Sequence, residues 1–335
     1  MINQSLFFIA FFAITFSTST ITPLSLVHGS WSAQGERTSQ QDRYVSNTFG
    51  IEDKQVYCFG IFDGHGQVRM GHLVAQYAQN HLHNELAPKV VSLFQSNNLH
   101  RVPDLIQESF QEFDKDLKNK NPNFTFNSGT TATTIMIIED HCIVANVGDS
   151  QAYLQVSNLM APQVLTENHV LNENFCKQFE KSDTTYLEKR VTTEIFYQDF
   201  PFNQENCIRR IHHNTYIVAQ YDNERGAYES LLNLSRTLGD SLFFPHVTAL
   251  PFVQNFSLTP EHQFIIIASD GLWDNMTGKA ATNFVLAYLQ ENDMNIQTIT
   301  PDQAQTIAQA LVDASLTISK HDNTTATIIF FQHTP

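Results

Sequence analysis

Four aspartates share one local setting, an apolar run expected to form a strand that stops at an acid followed by a small or polar residue. They are Asp63 in "IFDGHG", Asp149 in "NVGDS", Asp270 in "IASDGLWD" and Asp322 in "KHDNTT". Strand ends of one sheet converge in space, so the four carboxylates are positioned to gather at one edge with few bases beside them. Carboxylates held together repel one another unless a cation sits among them. Hard oxygen donors without cysteine select magnesium or manganese over zinc. Taken singly, each acid reads as a turn cap, since Asp and Gly are common in turns; four in the same setting favour the cation. The first stretch also carries Gly64, His65 and Gly66 directly after the acid. A lone histidine beside glycine is ordinarily a solvated loop residue, so its place at the tip of a strand, on backbone that glycine permits, calls for a chemical partner.

The elements that would deliver these residues can be read from periodicity. "QVYCFGIF", ending one residue before Asp63, reads as a buried strand. From Val68 onward, Met70, Val74, Tyr77 and Leu82 recur at helical spacing,. A second amphipathic helix is expected from Asp104, as its cap, through Ile106, Phe110, Phe113 and Leu117,. "TATTIMII" and "CIVANVG" form a hairpin about Glu139 and Asp140, and "FIIIASD" is a further strand ending in an acid,. Two more helices, near Thr277 to Gln290 and Pro301 to Ile318, precede a last strand, "TATIIFF". Helices come in pairs rather than one per strand, which favours antiparallel sheets covered by helices over a doubly wound parallel sheet. The polar stretch from about 170 to 230 reads as a loop-rich excursion over the surface.

Composition narrows the function class. The 335 residues are 42% hydrophobic, enough for a sizeable core in one domain or two, and beyond residue 22 no linker, repeat or charge run marks a boundary,. With 34 acidic against 19 basic residues, the formal charge of -15 disfavours binding a phosphate backbone, so nucleic acid is not an expected partner,. Cys58, Cys142, Cys176 and Cys207 form no CxxC pair; they read as core thiols rather than zinc ligands or a disulfide framework,. Leu6 to Phe16, "LFFIAFFAITF", is short for a bilayer span and suits a signal-peptide core over residues 1–21, although the expected preceding positive charge is missing,. An uncleaved anchor and a cytosolic extension are the alternatives. A cleaved signal would send the chain to the secretory pathway or outside the cell, where the sequons at Asn123, Asn255 and Asn275 would be usable. No stable membrane span is expected, and nothing in the sequence obliges more than a monomer.

"GERTSQQD", "FDGHG", "SGTTA", "ANVGDSQA", "LSRTLGD", "IIIASDGLWD" and "HDNTTATII" occur in the order and approximate spacing of the motifs of the metal-dependent PPM family, the type 2C protein phosphatases. Between about residues 25 and 331 the chain resembles that family. The resemblance implies an α+β fold, two packed antiparallel β-sheets flanked by α-helices in a four-layer αββα sandwich, as a phosphatase domain over 22–335. It implies hydrolysis of phosphoserine and phosphothreonine in a phosphoprotein substrate, with two Mg2+ or Mn2+ ions per site and a weaker third. On these positions it makes Asp63 the carboxylate bridging two ions, Gly64 a carbonyl ligand, and Asp270 and Asp322 the ligands on the opposite side. Asp42 and Asp149 fall where the family holds metal-bound water or the third ion. Arg37 falls at the substrate phosphate, which its planar fork suits. His65 is left facing the leaving group as candidate general acid. Two cations about 4 Å apart lower the pKa of a bridging water, which then attacks phosphorus in line.

The chain also departs from the family pattern. Gln41 stands where Glu is usual, Gln151 where Arg is usual, and Asn168 where Asp is usual. An amide at 41 adds no charge for a metal, and the joint loss at 151 and 168 suggests that those positions face each other. The region before "LSRTLGD" lacks the usual glycine-containing approach. These departures keep open a second function, a catalytically weakened binding or scaffold protein.

Overall fold

The computed structural model describes residues 24–66, 70–171, 207–212, 215–222 and 227–333. The hydrophobic segment Leu6 to Phe16 and Cys176 lie outside them. In chain order the first strands are β1 (Leu24–Ala33), β2 (Arg43–Ile51), β3 (Lys54–Phe62) and β4 (Gly64–Gly66). Helices α1 (Gly71–Gln95), α2 (Val102–Lys120) and α3 (Pro122–Thr125) follow. Then come β5 (Ser128–Thr130), β6 (Ala132–Ile138), β7 (His141–Val147), β8 (Gln151–Val156) and β9 (Gln163–Val164). Next are β10 (Cys207–His212), β11 (Thr215–Asp222), β12 (Ala227–Leu232), β13 (Leu238–Gly239), β14 (Phe252–Ser257) and β15 (His262–Ala268). The chain closes with α4 (Asp270–Trp273), α5 (Gly278–Glu291), α6 (Pro301–Ile318) and β16 (Thr324–His333).

Two five-stranded antiparallel sheets, ordered β1-β16-β15-β8-β9 and β14-β7-β6-β3-β2, form the centre. Alternation along the strands decides how they stack. Phe59, Ile61, Ile135, Ile137 and Val144 of one sheet meet Leu154, Ile265, Ile267, Ile329 and Phe331 of the other in one buried cluster. The opposite faces are apolar too. Val56, Cys58 and Met136 pack under α1 and α2, while Ile266, Ile328 and Phe330 pack under α5 and α6. The result is the expected αββα sandwich, with both faces of each sheet buried. Cys58 and Cys142 are buried free thiols. Among the described residues no helix is long and apolar enough to cross a membrane.

Local chemistry fixes the element ends. Glu139 takes a left-handed φ of 54° in the hairpin turn between β6 and β7. Thr277 caps α5 by accepting from the Ala280 amide, and Thr300 with Gln303 closes a capping box on α6,. Three expectations need correction. Asp104 is not a cap: a 3-10 turn at Leu99–Arg101 runs straight into α2, which leaves the acid inside the first turn, where it meets the positive end of the helix dipole,. The 170–230 stretch is not merely loop, because β10, β11 and β12 pair into a three-stranded antiparallel sheet; residues 172–206 lie outside the described part. Finally, Asp322 precedes a strand rather than ending one. β15 and β16 are antiparallel, with Ala268 opposite Ala326, so the start of one lies at the same edge as the end of the other.

Candidate active site

β3 ends at Phe62 and hands Asp63 to that edge. The Asp63 amide donates to Thr131 Oγ1 (3.0 Å), and its carbonyl accepts from the Thr131 amide (2.9 Å), which ties the acid to the start of β6. Thr131 Oγ1 in turn meets Ser150 Oγ at 2.8 Å, one residue from Asp149. Gly64 is required by close approach: a Cβ there would lie 2.5 Å from the Gly71 carbonyl group and 2.9 Å from the Gln41 carbonyl oxygen. Asp270 opens α4 at the end of β15, where the Trp273 indole donates to the Ala268 carbonyl at 2.9 Å. Arg37 lies on Asp322, Nη2 to Oδ2 2.5 Å, and also donates to the His321 carbonyl at 2.9 Å.

These residues line one cavity of about 510 Å3, which brings together Arg37, Asp63, Gly64, His65, Asp149, Asp270 and Asp322. Asp42 is close by but is not part of the lining. It is fully buried behind, where its Oδ2 accepts from Ser269 Oγ (2.8 Å) and Thr325 Oγ1 (2.7 Å). Gln151 and Asn168 line a neighbouring depression of about 300 Å3 together with Asp274, and Asp149 and Asp270 line both hollows. The two substituted positions line the same hollow, and each has a partner of its own: Gln151 accepts from Tyr153 OH and Asn168 accepts from the Val170 amide.

Sequence reasoning missed Asp240. It lines the same cavity, and its Oδ2 stands 2.7 Å from His65 Nε2. The available signal was the last residue of "LSRTLGD", a Gly-Asp pair that reads locally as a turn,.

Electrostatics sets these acids apart from surface carboxylates. Burial pushes the Asp63 pKa well up, and the charges of Asp42 and Asp270, the hydrogen bond to Asp270 and the charge of Asp149 add to the effect. Burial likewise raises Asp42 to about 6 and Asp149 to about 7. Burial alone would lower the His65 pKa, but the charge and hydrogen bond of Asp240, with help from Asp149 and the Asp63 carbonyl, raise it.

As placed, no three His, Cys, Asp or Glu side chains among the described residues close a cage around an ion. The donor chemistry nevertheless fits a hard cation. Asp42 Oδ1 and Asp270 Oδ1 are buried without a hydrogen-bond partner. The acids whose pKa values burial raises are those a divalent ion would keep ionised,, and Gly64 lines the same cavity.

The family model described as Protein phosphatase 2C matches residues 27–174 and 198–324. The chain belongs to this family. Among the relatives of this phosphatase 2C chain, "Probable protein phosphatase 2C 52" of Oryza sativa subsp. japonica is 27% identical over 302 residues, which are 90% of this chain and 50% of the relative. "Probable protein phosphatase 2C 7" from the same plant is 25% identical, over 90% of this chain and 65% of the relative. The chain therefore spans half to about two thirds of the length of these relatives. The crystal structure of serine-threonine phosphatase 2C from Toxoplasma gondii shares the fold at a TM-score of 0.68 and 20% identity, covering 93% of this chain and 98% of that one.

Proposed function

We propose that the protein is a Mg2+- or Mn2+-dependent phosphatase of phosphoserine and phosphothreonine in proteins. The observation that carries this is the convergence of Asp63, Asp149, Asp270 and Asp322 with Arg37 and His65 on one cavity at the sandwich edge. When bound, the divalent ions supply the Lewis acidity that activates water for in-line attack on phosphorus. The chain's residues do the rest. Asp63, the Gly64 carbonyl, Asp270 and Asp322 would hold two ions, and Asp149 would hold a weaker third. Asp42, locked by Ser269 and Thr325, buttresses that floor with its free Oδ1.

Arg37 is more than half exposed at the cavity mouth. Turned from Asp322 and the His321 carbonyl toward a bound substrate, its guanidinium would bind and orient the phosphate oxygens,. His65 lines the wall and gives its proton to the departing seryl or threonyl oxygen as the P–O bond breaks, so the products are inorganic phosphate and a free hydroxyl,. The substrate is a phosphoprotein, and a monomer suffices.

Gln41, which lines the cavity with an amide in place of a carboxylate, supports the second reading, a weakened enzyme serving as a binding module. The full chain with phosphoserine and phosphothreonine peptides separates the two. Hydrolysis that appears with Mn2+ or Mg2+ and vanishes with chelator is expected, and peptide binding without turnover would replace the enzyme by the scaffold. For the N-terminus we propose a cleaved signal. Protein isolated from its native host should then begin near residues 20–30, and an intact Met1 to Phe16 on the mature chain would rule cleavage out.

A further inference from the structure

His65 carries the proton-donor role, yet it sits on the short strand β4, between glycines and beside a cavity, where a ring is ordinarily free to turn. Its Nε2 is instead held 2.7 Å from Asp240 Oδ2, and the geometry points to Asp240 as the positioning residue that fixes the His65 ring, leaving Nδ1 to carry the proton given to the leaving oxygen. The inference rests on the proposed function, because it assigns the support of that function's acid.

Several features show that this contact is built into the fold. Asp240 is only 2% exposed, and the same Oδ2 also accepts from Thr237 Oγ1 at 2.7 Å, so the carboxylate has a fixed direction. Its backbone is left-handed, with φ 50°, directly after Gly239 at φ 88°. The Asp240 amide donates to the Ser128 carbonyl (3.0 Å), and the Gly239 amide donates to Asp114 Oδ1 (2.7 Å). Asp114 belongs to α2 and is itself paired with Lys118 at 2.6 Å. Strand pairing completes the frame. Gly129 of β5 lies opposite His65 on one side and Gly239 on the other, so β4 and the end of β13 hold imidazole and carboxylate across the single intervening strand β5. Gly129 is what permits this. A Cβ there would come within 2.0 Å of Asp240 Oδ2.

Asp240→Asn isolates the effect, since asparagine tolerates the left-handed backbone and keeps the side-chain volume. On a phosphoserine peptide at saturating Mn2+, kcat should fall at least about tenfold, within the range that general acid catalysis supplies. KM and the Mn2+ concentration for half-activation should stay unchanged. Turnover of p-nitrophenyl phosphate, whose leaving group needs no proton, should fall far less. In a His65→Ala background the same substitution should change little. Equal defects on both substrates, or a full defect in the absence of His65, would overturn the assignment. A readout independent of turnover keeps it separate from the proposed function: in 15N-histidine spectra of the full chain, with the His65 signal identified from His65→Ala, Asp240→Ala should shift the Nε2 resonance. An unmoved resonance would overturn the contact even if the protein proved inactive. A chain that is inactive but retains the shift would overturn only the proposed function.

Discussion

At the scale of residues, the acids of the cavity divide by what they touch. Asp63 is tied to Thr131 on its backbone and is buried among Asp42, Asp270 and Asp149, and it is the acid assigned to both ions. Asp63→Asn should lower turnover roughly 100-fold or more, the scale lost when a preorganised electrostatic group is removed. Asp270→Asn and Asp322→Asn should first raise the Mn2+ concentration needed for activation. Titrating kcat against Mn2+ for the three variants checks this, and equal residual rates at saturation would contradict the division of roles. Asn323 acts differently. It is buried, with its amide donating to the Gln34 and Ser39 carbonyls and its Oδ1 accepting from the Gln41 amide. This pins the loop that carries Arg37, Gln41 and Asp42. Asn323→Ala leaves those groups without partners and should cost about 1–3 kcal/mol in urea unfolding. A glycan on Asn323 is incompatible with this packing.

At the scale of elements, the site depends on how closely α1 meets β4. Gly71 opens α1, and a Cβ on it would come 2.3 Å from the His65 amide nitrogen and 2.5 Å from the Gly64 carbonyl carbon. These are backbone atoms, which cannot swing aside. Gly71→Ala must therefore part the helix from the strand that carries Gly64 and His65. Overpacking of this kind costs about 1–3 kcal/mol, and the displacement should cut turnover well beyond the small fraction of chain it unfolds. Measuring kcat beside the unfolding free energy distinguishes the two effects. Normal kcat in a destabilised variant would mean that β4 does not move with α1.

At the scale of the whole molecule, stability should depend on pH in a way the cation reverses. Asp42 and Asp149 titrate at about 6 and 7 in the folded chain, above the ordinary value of 3.8, and Asp63 is raised as well. The folded state therefore binds more protons than the unfolded chain. That stabilisation is complete below about pH 4 and is lost as pH rises through 6 to 7. His169 works the other way. Burial, then the nearby Arg236 charge, lowers it to about 3, so its contribution rises with pH from 3 to the ordinary 6.5. Burial lowers His28, His83 and His262 as well, so these histidines together oppose the acids, but only below the ordinary 6.5, above which they contribute no further change. The chelated protein should melt at a lower temperature at about pH 8 than at about pH 5, and Mg2+ should raise the melting temperature more at the higher pH. A pH-independent increment would mean that the ion does not sit among these acids.

Much of this was legible in the chain because its signals are local. The strand that stops at Asp63, the hairpin at Glu139 and the α6 boundaries at Pro301 and Ile318 all follow from alternation, helical spacing and caps that act over a few residues. The ordered motifs carried the family and the αββα layering with them. What escaped was set by pairing across long separations. Asp240 and His65 are 175 residues apart, and Arg37 and Asp322 are 285 apart; nothing in the local pattern of either partner specifies the other. Asp322 looked like a strand end because sequence does not state which neighbouring strands run antiparallel. In the mostly polar stretch around β10 to β12 the strand signal is confined to the short run Tyr216 to Ala219 with polar flanks, and pairing on both of its sides reveals the sheet,. Sequence by itself determined which groups carry the chemistry, because residue type and local backbone are covalent facts. Tertiary structure alone decided which groups face one another, because antiparallel registry, a left-handed turn at Asp240 and burial among like charges arise only when distant segments pack.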